Sequence, residues 1–390
     1  MTKKIQTEVV IVGAGLVGLT AAIAFAQQQR KVVLLDSSLP DHGTKNEWDQ
    51  RIYALTESSI QWLKDIGVWD KVDSSRVNGI DAMQLWAEGS TQPLCLNADD
   101  AHLEQMGCVL ENQNLVNACW QRLNELNVTL LTNVTGQALL LLNQHVNLLL
   151  TDGREIAAKL LLGADGNNSW VRQQAQLGVH LKSFKQTAIV ANFETEYDHG
   201  NIARQWFGHH ETLALLPLPQ KIVSMVWSLS TQEAHKLLNL TSDALAECVE
   251  KRSQFNLGKL RPLNNAVPFI LNQKTASKLI SDRVALVGDA AHQVHPMAGQ
   301  GVNLGFRDVM KLSHLTTNMS QLQDIGDYSL LRAYERARKL DVFEMNQLIS
   351  GLDTLFSVNN AFVSKLTSWG IQLVGNQNLI KQKLIKHATL

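Results

Sequence analysis

Three clusters that combine glycine with an acidic residue are the first candidates for chemistry in this 390-residue chain. The earliest is Gly13-Ala14-Gly15-Leu16-Val17-Gly18, followed by Asp36. A pyrophosphate can be held by backbone N–H groups at a helix start, provided no Cβ stands between them and the phosphates. On that reading Gly13 permits the tight turn, Gly15 lets the backbone approach the phosphates, and Gly18 lets the helix pack closely. Asp36 stands where a carboxylate would accept hydrogen bonds from an adenosine ribose. The cluster fits a dinucleotide and does not separate a nicotinamide from a flavin one. The second cluster, Asp165-Gly166-Asn167-Asn168-Ser169 with Arg172, reads alone as a strand, a turn and a helix start capped by Asn168 or Ser169. The third begins at Gly288-Asp289 and continues through His292, His295, Pro296, Gly299, Gln300, Gly301, Val302 and Asn303. There Asp289 can reach a ligand's hydroxyls, Pro296 fixes the loop, and the amides near Gly299 and Gly301 can crowd a planar ligand at a helix start. Such amides would stabilise negative charge developing on that ligand.

These residues need elements to hold them. Glu8–Val12 reads as a strand, Leu19–Gln28 as a helix and Lys31–Asp36 as a second strand, the order of a βαβ dinucleotide unit. The uncharged run from Val9 to Ala26 after Lys3-Lys4 superficially matches a signal peptide or a membrane span. Its β-branched opening and its glycines favour a buried strand and turn instead. Apolar strands also lead into Asp165 and Asp289. Met83–Trp86, Thr187–Phe193, Thr212–Pro217 and Ile222–Leu229 read as further strands, and Asp324–Leu352 is helical in composition, with two more helices expected from Leu355. Only one GxGxxG occurs, so one dinucleotide fold is expected. With 35 Lys+Arg against 36 Asp+Glu there is no electrostatic case for a nucleic-acid binder. Four Cys without a CxxC pair argue against a disulfide scaffold or zinc module and for a reducing compartment.

The three clusters, in this order and at this separation, resemble the FAD-dependent aromatic hydroxylases of the single-component flavin monooxygenase class. Within it the chain is most similar to the ubiquinone-biosynthesis hydroxylases. The likeness is carried by Arg51-Ile52-Tyr53-Ala54-Leu55-Thr56, Gly67-Val68-Trp69, Glu111-Asn112 with Leu115 and Trp120, and Pro296 to Gly305 with Asp308. The tail from Phe356 to Ala388, with Gly370, Lys381 and Lys383, follows the family's C-terminal helices. The chain departs from the family in Val302 for a Leu or Met, Thr56 for a Ser, and Thr367-Ser368-Trp369 where an Arg is common.

The resemblance implies an α/β fold: a Rossmann-like FAD-binding domain with an inserted, mainly antiparallel β-sheet substrate domain and C-terminal helices. Residues 1–75, 105–180 and 276–345 would form the FAD domain, 76–104 and 181–275 the substrate sheet, and 346–390 the helical end. It implies FAD as cofactor, NAD(P)H as transient electron donor, and O2 as co-substrate attacked through a flavin hydroperoxide by an electron-rich prenylated phenol or quinol. Gly13, Gly15, Gly18 and Asp36 would hold the ADP part, Asp165 would lie by the pyrophosphate, and Gly288 and Asp289 would meet the ribityl chain. Amides from Gly299, Gln300 and Gly301 to Val302 and Asn303 would stabilise the anionic reduced flavin. Pro296 would lie by its reacting edge. Arg51 would reach the phosphate side, against a reading as a surface cation, and Asn112 would contact FAD, while Glu111 could cap its helix.

His295 is a candidate participant in proton transfer because it adjoins Pro296 and titrates near neutral pH. His292 and His295 with Asp289 could mimic metal ligands, but the glycine-rich continuation favours a nucleotide, and no metal is expected. Trp206, Phe207, Trp227 and Phe269 could line an apolar cavity, although strand aromatics are more often core. No acid follows Asp353, whereas Lys365, Lys381, Lys383 and Lys386 do. Such a basic amphipathic end suggests contact with an anionic membrane surface or with other ubiquinone-biosynthesis proteins, against a helix simply packed on the FAD domain. The expected location is cytoplasmic, peripheral at the inner membrane face. A hydroxylase of a small soluble aromatic and a non-catalytic flavin-binding protein are the alternative readings.

Overall fold

A computed structural model describes residues 4–38, 47–293, 301–317, 319 and 323–357, with side chains through residue 344. The expected sites at His295, Pro296, Gly299 and Gln300, and the basic tail beyond residue 357, lie outside the described residues.

The first sheet is built on the strand Lys4–Val12, whose inner half, Val9 to Val12, is buried. It pairs in parallel with Val32–Leu35 on one side and Glu155–Gly163 on the other. Val284–Leu286 and Val128–Leu131 extend the parallel order outward. Continuous apolar runs suit strands covered on both faces, which is why these segments lack the alternation of a half-exposed strand. The register aligns their carboxyl ends: Val12 lies opposite Leu35 and Gly163, and Gly163 opposite Leu286. The three glycine-acid clusters begin just beyond these residues, so pairing alone brings distant segments to one edge. In an open α/β sheet that edge is where ligands bind.

The second sheet has the order Leu94–Asn97, Ala82–Trp86, Ile202–Gly208, Glu211–Leu218, Ile222–Ser230, Val179–Thr195, Val267–Ala276, His292–Gln293. Only the Ala82–Trp86/Ile202–Gly208 pairing is parallel, so the sheet is mainly antiparallel. Its alternation is regular. Val223, Met225, Trp227 and Leu229 enter one core with Trp206 and Leu213, while Ser224, Val226 and Ser228 face the other way. Helices Thr231–Leu238 and Ser242–Arg252 cover the first face, each started by a hydroxyl cap, Ser230 and Thr241. A small sheet of Ile52–Leu55, Val77–Gly79 and Cys108–Glu111 joins the two layers.

Two elements bridge the expected segments. The last described helix, Tyr328–Ser357, runs through the position expected to separate two segments at 345/346. His292–Gln293 pairs with the second sheet although it follows a strand of the first. Among the described residues no helix is long and apolar enough to cross a membrane.

Candidate active site

A cavity of about 1400 Å³ runs from the carboxyl edge of the parallel sheet to the open face of the second sheet. At its first end stands the glycine loop. Gly13 has φ +105°, and a Cβ there would stand 2.4 Å from the Ala164 carbonyl oxygen. Gly13 N–H donates to the Leu35 carbonyl and Ala164 N–H to that of Val12, both at 2.8 Å. Gly18 is forced for another reason: a Cβ would stand 1.9 Å from the Gly13 carbonyl oxygen. Gly15, by contrast, has no heavy atom within 4 Å of an added Cβ; it caps the helix Leu16–Gln27 and opens into the cavity. Two of the three glycines are therefore required by packing and one by the space in front of it.

Asp36 reaches back to the same loop, accepting from Ala14 N–H at 2.6 Å and from Ser38 N–H and Oγ at 2.9 and 2.8 Å. It adjoins the loop and the cavity wall together. Asp165 accepts from Val171 N–H at 3.0 Å through Oδ2, while Oδ1 is buried with no partner in the protein. Asp165 also lines the cavity. A buried carboxylate oxygen left unpaired is costly, and it marks a place where a donor from a bound molecule fits. Ser169, not Asn168, caps the helix Trp170–Gln174, accepting from Arg172 N–H at 2.9 Å. Arg172 is consumed structurally, donating to the carbonyls of Ala290 and Asn167.

The third cluster enters as a 3-10 turn, with Gly288 at φ +61°. Gly288 does not line the cavity but Asp289 does. Burial pushes the Asp289 carboxyl above its ordinary value, and Arg51 and His292 pull partly against that. His292 is buried with Nε2 against Asp308 Oδ2 at 2.8 Å. Asp308 also accepts from Gly288 N–H at 2.8 Å and Arg338 Nε at 2.5 Å. Burial works against its charge, yet His292 and Arg338 prevail and hold the carboxyl below its usual range. This buried ion cluster fixes the turn that presents Asp289, a role the sequence did not reveal because Arg338 lies 30 residues beyond Asp308.

Gly301 and Val302 open the helix Gly301–Thr317 and line the cavity, and Gly301 too has free space where a Cβ would be. Asn303 is turned away: its side chain donates to the Ala54 carbonyl at 2.8 Å and accepts from Thr56 N–H at 3.2 Å. It ties this helix to the strand carrying Arg51's neighbours. Thr56 caps the helix Glu57–Asp65, as a serine would. Arg51 is exposed at the cavity wall, 5.8 Å from the Tyr53 ring centroid. Tyr53, which sequence reasoning did not single out, lines the same wall with its hydroxyl 3.4 Å from Asn112 Oδ1. Burial pushes that phenol up to about 12, with Arg51 the chief opposing influence. Asn112 begins the helix Asn112–Leu123 at the cavity. Glu111 precedes it but makes no side-chain cap; it accepts from Arg76 and from Asp49 N–H instead.

At the second end, the face of the antiparallel sheet turned to the cavity combines small residues with larger ones such as Arg204, Leu216 and Phe269. Ala188, Val190, Ala203, Ala214, Ser224 and Val226 line it. Trp206 and Trp227 are core on the opposite face, and Trp206 stacks on Trp86 at 4.6 Å. Phe207 is buried and does not line the cavity, whereas Phe269 does. The aromatics named from the sequence are thus divided, Phe269 at the cavity and Trp206, Trp227 and Phe207 buried.

The geometry defines a nucleotide-binding α/β protein with an adjoining apolar chamber, and comparison with known proteins agrees. Residues 6–347 match the family described as FAD binding domain. The chain is 34% identical to 3-demethoxyubiquinol 3-hydroxylase of Escherichia coli, covering 98% of both chains. It is 34% identical to Ubiquinone hydroxylase UbiL of Rhodospirillum rubrum, over 98% of this chain and 89% of that one. Among solved structures it resembles p-nitrophenol 4-monooxygenase PnpA from Pseudomonas putida, with TM-score 0.79 and 16% identity over 99% of this chain and 98% of that one. It also resembles PqsL of P. aeruginosa, with TM-score 0.76 and 18% identity over 94% and 99%. The class is that of the FAD-dependent monooxygenases. Within it, this chain belongs to the ubiquinone-biosynthesis hydroxylase family.

Proposed function

We propose that the protein adds a hydroxyl group to the aromatic ring of a prenylated phenol or quinol intermediate in ubiquinone biosynthesis, with NAD(P)H as electron donor and O2 as co-substrate. The observation that carries this reading is one cavity joining a nucleotide cradle to a chamber floored by small side chains, in a chain similar to ubiquinone hydroxylases from end to end.

FAD, when bound, supplies the electron transfer and oxygen activation that no protein side chain can provide. The chain's own residues hold and orient. Amides at the start of Leu16–Gln27, reached across Gly15, would hold the pyrophosphate, and Asp36 would accept from the adenosine ribose. Asp165 Oδ1 and Asp289 would accept from hydroxyls of the cofactor's chain, with Arg51 and Asn112 on the facing wall. Amides of Gly301 and Val302 would meet developing negative charge at the helix Gly301–Thr317. The resemblance would add His295, Pro296, Gly299 and Gln300, which lie outside the described residues, to the same site. The small-residue face would seat the ring and exclude water from it.

A deletion strain provides the test. Mass spectrometry of its lipid extract should show a prenylated ring precursor lacking a hydroxyl, with restoration by the intact gene. An unchanged quinone profile, together with accumulation of a soluble aromatic acid, would favour a small-molecule hydroxylase and defeat the proposal.

A further inference from the structure

We infer that the outer end of the second sheet is the surface by which this protein docks on an anionic lipid bilayer. The strand Val179–Thr195 pairs with Ile222–Ser230 only from Gln186 onward, so Val179 to Ser183 pair with Val267–Ala276 alone and form the sheet's projecting edge. This ribbon bears two large apolar side chains in the open, Leu181 at 62% and Val179 at 45%, and past the bulge its partner strand bears Ile270 at 73% and Phe269 at 43%. Isolated exposed apolar residues need no explanation, but Val179, Leu181 and Ile270 share one face of the paired strands, while Phe269, one position from Ile270, faces the other way with Ala188. Leu181 pairs with Lys274, four residues along the strand from Ile270, a distance of roughly 13 Å at the rise of a β-strand.

Charge selects the partner. No acidic residue occurs from 178 to 193 or from 264 to 281, in a chain whose overall charge is nearly balanced. Those segments carry Lys182, Lys185, Lys274 and Lys278. Among the described residues, none of these four forms an ion pair with a carboxylate. Lys182 lies over the Phe184 ring at 5.2 Å, and Lys274 donates to Asn167 and Asn168. Apolar side chains beside unneutralised lysines match a membrane interface, where headgroups take the charge and acyl chains the hydrocarbon. Position gives the patch a purpose. Ile270 belongs to the patch and, with its neighbour Phe269, lines the cavity, so a lipid-borne substrate could pass from the bilayer to the ring chamber without crossing water. The choice of a bilayer rests on the proposed prenylated substrate.

The test is flotation of the FAD-loaded full chain with vesicles of phosphatidylcholine, with and without phosphatidylglycerol. The wild type should float with the anionic vesicles and much less with the neutral ones. The double variant Leu181→Asp, Lys182→Glu touches no cavity-lining residue and should lower the bound fraction at least about tenfold. Lys182→Glu alone, the milder change, should lower it by a smaller factor. Leu140→Asp, which places the charge of Leu181→Asp alone at a 61%-exposed leucine on another strand, should bind like wild type. Retained flavin absorbance would show that the variants fold. Absence of wild-type binding would overturn the inference, as would full binding by the double variant. Loss of binding only when Lys381 and Lys383 are replaced by Glu would overturn it too, as would a self-association that the patch variants abolish without any vesicle binding. Turnover of a short-chain analogue in detergent separates the two proposals. Vesicle binding through the patch without such turnover upholds the surface and defeats the function, and turnover without patch-dependent binding does the reverse.

Discussion

At Gly15 the difference between a packed and a functional glycine can be measured. Gly13 and Gly18 would clash with backbone if they gained a Cβ, whereas Gly15 faces only open cavity. Gly15→Leu should therefore fold and yet bind FAD far more weakly, because the new side chain occupies the space the phosphates need. Loss of one or two charge-assisted hydrogen bonds predicts at least about a tenfold to hundredfold loss of affinity, read from flavin absorbance after titration. The corresponding change at Gly18 should reduce stability instead. Asp308 offers a second measurement. Replacing it by Asn removes the carboxylate that Arg338 and His292 share, leaving Arg338 its second partner Asp341, and denaturant unfolding should show a loss of about 3 kcal/mol. Its pH dependence has a definite sign. The folded carboxyl is held below its usual range, so its contribution is complete above the unfolded value, near 4, and is lost as pH falls through the lower folded value. Acid denaturation of the Asn variant should lack that component. Among the cysteines, burial pushes Cys108 and Cys119 up to about 12, so a thiol reagent at neutral pH should modify Cys95 and Cys248 first and reach the other two only on unfolding.

Elements explain which of these features the sequence disclosed. The βαβ unit was legible because each strand ends in a residue whose type its position demands: Gly13 after Val12, Asp36 after Leu35. The second strand of that unit is buried throughout and is read directly from its aliphatic run. By contrast, Val179–Thr195 was expected only from Thr187. Its outer half, His180-Leu181-Lys182-Ser183, is exposed, and its bulge between Ser183 and Gln186 interrupts the alternation that signals a strand. The helix Tyr328–Ser357 carries no breaker at 345/346, so a boundary drawn there from family organisation had no local cause. Asn303 shows the limit at a single helix. The part expected of it falls to its backbone amide, and its side chain, one further residue around the helix, is taken up by Ala54 and Thr56, a contact no local pattern announces. The substrate face was hidden for a similar reason, since Ala188 and Ala214 carry no chemical signal until their strands are paired. Ala188→Phe and Ala214→Phe should fill that space, raise KM for the ring substrate at least about tenfold, and leave FAD content unchanged. An equal loss of FAD would contradict this division of the cavity.

The whole molecule places a cradle and a chamber on different sheets and lets one cavity join them. The parallel sheet brings residues 13, 165 and 289 together through register, and the antiparallel sheet supplies a wall on which small side chains leave space between larger ones such as Leu216 and Phe269. The arrangement makes sense only if a ring on the second sheet receives something from a cofactor held by the first. For a monooxygenase that something is one atom of molecular oxygen. Turnover of the FAD-loaded protein with NAD(P)H and a prenylated phenol under 18O2 therefore tests the central claim most directly, by mass spectrometry of the product. The account predicts a substrate-dependent product carrying a single 18O on the ring. A ring oxygen derived from water, or NAD(P)H oxidation that never yields a hydroxylated product, would contradict it.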